Sequence, residues 1–245
     1  MTKISKKSLI EGFEHQKNQV EGLISTAEES YSAKRYNISI ANSILALEEI
    51  TKLRQIRDSD YLSGEMELSD WQKLIEGRGV HVKKLAKPIE EMQQHQKGKR
   101  SEYWDVVQAF VDSTLISAGG TKTKRVTPIY DPKMNYALNR LKQACLYMDY
   151  KDGKWYSAKL ILSKKELEAL AYVTLISAQF NFNDVQLHNK HREMSVDKES
   201  ESYKNYVNDP LFHKRVEFQK LVGTSTFSKK KIISQSALTK FKKAN

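Results

Sequence analysis

The stretch Lys34 to Arg57, KRYNISIANSILALEEITKLRQIR, constrains this chain more than any other. Ile38, Ile40, Ala41, Ile44, Leu45, Leu47, Ile50, Leu53 and Ile56 cover most of the circumference of a helix with 3.6 residues per turn. A helix that is apolar nearly all round needs neighbours on every side, so it predicts the centre of a helical bundle. Ser8 to Ser32 supplies one neighbour, with Leu9, Phe13, Val20, Leu23, Ile24 and Ala27 on a stripe. "SDWQ", Ser69 to Gln72, reads as a capping box opening a third helix that runs toward Lys87 and stops at Pro88. A helix carrying Trp104, Val107, Phe110, Val111 and Leu115 follows, and Tyr136 to Met148 is another. "SKKE", Ser163 to Glu166, is a second capping box and opens a helix reaching about Met194. Leu211 to Val222 reads as a last helix. The fold class is therefore all-α, a bundle of five or six helices. "DYKDGKWYSA" contains an Asp-Gly turn and predicts a small hairpin or irregular arm. Four Pro and ten Gly in 245 residues leave little to break helices, which agrees.

Two adjacent carboxylates interrupt the central helix. Glu48 and Lys52 are four apart and share a face, while Glu49 lies about 100° around from Glu48. Among Leu45, Leu47, Ile50 and Leu53, at least one carboxylate is expected to be partly buried and to need a partner. Arg78, His81 and Lys84 fall at spacings of three and make one stripe. Packing that stripe on the central helix brings His81 and Lys84 to Glu48 and Glu49, as a polar seam between helices. The alternative is a solvated salt-bridge face with no further role.

The net charge of +11 draws such a chain to polyanions such as RNA or ribosomes, or to acidic proteins. The basic residues to watch are Lys83, then Lys122, Lys124 and Arg125 in the loop GGTKTKRVTPIYDPKMN, then Lys229, Lys230 and Lys231 opening a C-terminal tail with six Lys in eighteen residues. The alternative is a merely solvated surface. Cys145 is the only cysteine, which excludes an internal disulfide and a thiolate metal site, and its neighbours predict an inert packed thiol. A cytoplasmic protein is expected, since neither a signal peptide nor a membrane span is apparent. No phosphate-binding Gly loop, zinc motif or nucleophile elbow appears, so no cofactor and no metal are expected.

Three elements carry a resemblance to a family. "AEESYSAKRYNISIANSILALEEITKL" resembles the core helix pair of the AbiV-type abortive infection proteins of the HEPN superfamily: a Tyr-containing junction, then an apolar run closing in Glu-Glu-x-x-Lys. "GRGVHVKKL", with His81, Lys83 and Lys84, resembles the family's following His-Lys element. "LKQACLYMDYKDGKWYSA" resembles a later signature, with Leu146, Tyr147, Met148, Asp149 and Trp155. The elements keep the family's order and span roughly residues 20–180. The resemblance implies a HEPN-like bundle over 1–195, with 196–245 as an extension of helix plus basic tail. It implies a homodimer acting in bacterial defence against phage, where infected cells shut down growth by arrest of translation or of RNA metabolism. That function needs a trigger, expected to be a phage-encoded protein.

Many HEPN proteins are metal-independent ribonucleases built on Arg-x4-6-His. This chain lacks that motif. Arg78 precedes His81 by only three positions, and "NDVQLH" gives Asn183 and His188 as an Asn-x4-His, followed by His191 and Arg192. The simpler reading of that run is a polar helix end. Two functional readings follow: an effector that acts by binding, and a ribonuclease whose site combines Glu48, Glu49, Lys52 and His81 of the seam that also holds Lys84, with His188 as a further candidate member. A third is a helical scaffold.

Overall fold

The computed structural model describes residues 2–76, 80–85, 132–151, 154–194, 197–214 and 216. Within them the chain is an all-α bundle around three 27-residue helices, α1 (Lys6–Ser32), α2 (Tyr36–Leu62) and α7 (Lys164–Lys190), with a 15-residue helix α5 (Pro132–Leu146). Short helices α3 (Leu68–Ile75), α4 (Val80–Lys84), α6 (Ala158–Ile161) and α8 (Glu201–Val207) fill the ends. As its pattern predicts, α2 is central and packs on α1, α4, α5 and α7. Ile40, Ile44, Leu47, Ile50 and Leu53 are all at most 1% exposed. Each such side chain contributes about 2 kcal/mol of burial.

Helices α1 and α2 form an antiparallel pair. Ser5 caps α1, its hydroxyl accepting from the Ser8 amide, so the helix begins before the expected Ser8. The tight junction is a Schellman arrangement: the Arg35 amide donates to the Ser30 carbonyl and the Lys34 amide to the Tyr31 carbonyl. It requires a left-handed residue, and Lys34 supplies it at φ 59. That is why α2 starts at Tyr36 and not at Lys34. Tyr31 stacks against Tyr36 at 5.5 Å and Tyr172 of α7 at 6.1 Å, bracing the junction.

At the open end of the pair, two strands unforeseen in the sequence, β1 (Lys3–Ile4) and β2 (Met66–Glu67), pair antiparallel. The Leu68 amide then donates to the Thr2 carbonyl, so α3 starts at Leu68 and the Ser69 capping box does not form. The expected long third helix is instead divided: α3 stops at Ile75, where Glu76 is extended, and α4 is separate. The hairpin does form, β3 (Asp149–Lys151) against β4 (Lys154–Tyr156). The Ser163 capping box also forms, the Glu166 amide donating to the Ser163 hydroxyl and the Ser163 amide to the Glu166 carboxylate. The segment from Val196 to Pro210, read as polar, carries α8, which Ser200 caps and Tyr206 anchors by burial. The expected helix around Trp104 lies outside the described residues; of the expected helix from Leu211 to Val222, residues 211–214 and 216 are described and helical, and the rest lies outside them.

Candidate functional site

The site is built on the face of α2 where the two carboxylates stand. Glu48 has a side chain only 1% exposed, fully inside the bundle. Its Oε1 accepts from Lys142 Nζ of α5, itself buried, and its Oε2 lies 2.7 Å from Nδ1 of His81 on α4. The His81 side chain is 54% exposed. The buried carboxylate therefore fixes one ring nitrogen, and Nε2 on the far side of the ring is left toward solvent.

Glu49 faces the other way around α2. Its Oε2 accepts from Lys52 Nζ at 2.6 Å and from Gln16 Nε2 of α1 at 2.8 Å. Lys84 is buried beside Lys52 and both carboxylates. Burial holds its ammonium below the ordinary lysine range, and the Lys52 charge adds to that, while Glu49 and Glu48 oppose it. Helix α4 is held down by buried Val80 and Leu85 and by the Thr51 hydroxyl, which donates to the Lys84 carbonyl. With His81 and Lys84 three apart and both turned to α2, Lys83 is left on the exposed side.

Glu48, Glu49, Lys52, His81 and Lys84 thus share one seam between α2 and α4. Lys142 and Gln16 belong to it too, and neither was singled out from the sequence. Both carry a signal there. Lys142 falls four after Leu138 and three before Cys145, two buried residues of α5. Gln16 sits on the α1 stripe between buried Phe13 and Val20. A polar residue in an apolar stripe marks a partner on the facing helix. Among the described residues the seam holds three lysines, of which Lys84 and Lys142 are buried, and two carboxylates, with a half-exposed imidazole and exposed Lys83 at its mouth. Such an arrangement can attract a phosphate and can move a proton at His81 Nε2.

Other candidates separate from it. Arg78, Lys122, Lys124, Arg125, Lys229, Lys230 and Lys231 lie outside the described residues. The Asn183–His188 run lies at the end of α7 and makes local contacts. Asn183 donates to the Gln179 carbonyl, His188 Nδ1 to the Asp184 carbonyl, and Arg192 binds Asp60 of α2. His191 Nε2 meets buried Asp209 at 2.8 Å, tying the segment after α7 back onto its end. Cys145 is buried, which pushes its thiol up to about 12 and leaves it inert. Among the described residues no group of His, Cys, Asp and Glu is arranged to hold a metal ion, and no helix is long and apolar enough to cross a membrane.

No curated protein and no solved structure matches the chain. A family model does: the HEPN family described as AbiV matches residues 8–177, which takes in α1, α2, α4, α5 and the first half of α7. That range holds every residue of the seam. The chain belongs to the AbiV family of HEPN proteins.

Proposed function

We propose that this chain is an abortive-infection effector that arrests translation or RNA metabolism in phage-infected cells, acting on RNA or the ribosome by binding. Family membership supports the defence role. The observation that carries the RNA-directed part is the mouth of the seam, where half-exposed His81 stands beside exposed Lys83 in a chain of net charge +11. Basic groups around an opening collect phosphates by releasing their counterions. In this reading the protein works as a homodimer and a phage-encoded protein triggers it.

A specific observation favours a second, catalytic reading. Glu48 orients His81 as a second carboxylate orients a general base in many hydrolytic sites. RNA carries its own nucleophile. His81 Nε2 would take the 2′-hydroxyl proton, the 2′-oxygen would bond to phosphorus, and the 5′-oxygen would leave and take up a proton from water. Lysines at the seam would offset the extra charge on the phosphoryl oxygens. The products are a 2′,3′-cyclic phosphate and a 5′-hydroxyl, with no metal needed.

Incubating the purified protein with total RNA, then measuring retention and fragment size, tests both. Retention that weakens with salt and leaves the RNA intact supports binding. Fragments ending in cyclic phosphate that vanish in His81→Gln support cleavage. RNA neither held nor cut, with and without the phage trigger, ends the RNA-directed reading.

A further inference from the structure

A cavity of about 290 Å³ opens where α1, α2, α3 and the β1–β2 pair meet. Its walls are Ile56, Met66 and Trp71, with His15, Gln16 and Gln19 along α1. Among the described residues no Lys, Arg, Asp or Glu lines it, in a chain of net charge +11. Among the described wall residues His15 is the one ionisable side chain, so the wall suits an uncharged group better than a charged one, whose desolvation it would do little to repay. What the wall offers is one large aromatic face, apolar side chains and side-chain amides. Gln16 is more than nine-tenths buried. Its Nε2 is spent on Glu49, and its Oε1 takes no hydrogen bond from a described residue. Gln19, one turn on, is exposed and keeps both donor and acceptor for an incoming edge.

We propose that this cavity receives an unpaired nucleobase. A base is flat, uncharged and apolar on its faces, and it carries donors and acceptors around its edge. Trp71 gives a stacking face, as in sites that hold single-stranded nucleic acid. Glutamine matches the adenine edge better than other bases. The base can arrive in two ways, as a free nucleoside or nucleotide, or as one residue of an RNA strand. The second rests on the RNA-directed reading above. In either case Gln16 joins the cavity to the seam, since the same amide group borders the base and holds Glu49.

Gly12 makes the test clean. A Cβ placed there meets only Ile56 Cδ1, at 3.9 Å, so Gly12→Ala is accommodated, whereas Gly12→Leu fills the cavity from a helix position that leucine favours. The measurement is tryptophan fluorescence of the full chain titrated with adenosine, guanosine, cytidine, uridine, ribose 5-phosphate and a short single-stranded RNA. The expected result is saturable quenching by at least one nucleoside, strongest with adenosine, and none with ribose 5-phosphate. Gly12→Leu should weaken it at least tenfold, Gly12→Ala should not, and Trp71→Phe should abolish the signal. Binding of nucleosides without the RNA supports the cavity and removes the strand as its source. RNA bound equally by Gly12→Leu and the wild type, with no nucleoside quenching, overturns the cavity proposal and leaves the RNA-directed reading standing. No quenching by any nucleoside or RNA also overturns it.

Discussion

Lys142 on α5 and Glu48 on α2, 94 positions apart in the chain, are both buried and bound to one another. The pair holds α5 on the central helix and leaves the other Glu48 oxygen for His81. A buried carboxylate deprived of its cation is costly, more so than the absence of the pair altogether. Lys142→Met is therefore expected to destabilise the protein by about 3 kcal/mol. Adding Glu48→Leu should restore most of that loss, which is the non-additivity expected of residues in contact. Urea unfolding of the two single variants and the double variant measures it. A single variant costing under about 1 kcal/mol would contradict the buried pair.

The α1–α2 junction leads to the opposite prediction, a gain. Lys34 stands in the left-handed conformation, φ 59, that usually falls to glycine in this motif. A side chain there costs about 1 kcal/mol. Lys34→Gly removes that cost and adds some chain entropy to the unfolded state. The net expectation is a gain of up to about 1 kcal/mol, with the melting temperature rising and not falling.

Asp209 predicts how the segment behind α7 responds to acid. Burial alone would raise its pKa, but Lys190, His191 and the Leu211 amide hold it down to about 2. Its folded value lies below its ordinary one of 3.8. The contact's stabilisation is thus fully present above that ordinary value and is lost as the pH falls toward 2. Protection of the α8 amides, exchange rates taken relative to the intrinsic rate at each pH, should stay high at about pH 5 and fall between about pH 4 and 2. Asp209→Asn should exchange faster already at about pH 5, with a loss of about 1–3 kcal/mol locally.

The sequence made the central helix legible because burial on all sides leaves no polar face to hide it, and Ser163 because a capping box is local. Glu48, Glu49, Lys52, His81 and Lys84 could be grouped because spacing alone sets which residues share a helix face. Lys142 and Gln16 were missed for a different reason. Each interrupts an apolar stripe, which signals a partner, but only the facing helix says which partner that is. The start of α3 at Leu68, in place of a capping box at Ser69, was missed because the Leu68 amide is claimed by the Thr2 carbonyl, distant in sequence. Helix α8 was missed because its one anchor, Tyr206, finds its burial against His188 and His191, outside its own segment.

The central claim is that the His81 end of the seam carries the effector function. His81→Gln tests it, because His81 is half exposed and its loss leaves Glu48 still paired with Lys142. The measurement is incorporation of labelled amino acid after phage infection, in cells holding equal amounts of wild type or His81→Gln. The account predicts that incorporation collapses in wild-type cells and continues in His81→Gln cells, which then yield phage. Equal collapse with both proteins would contradict it.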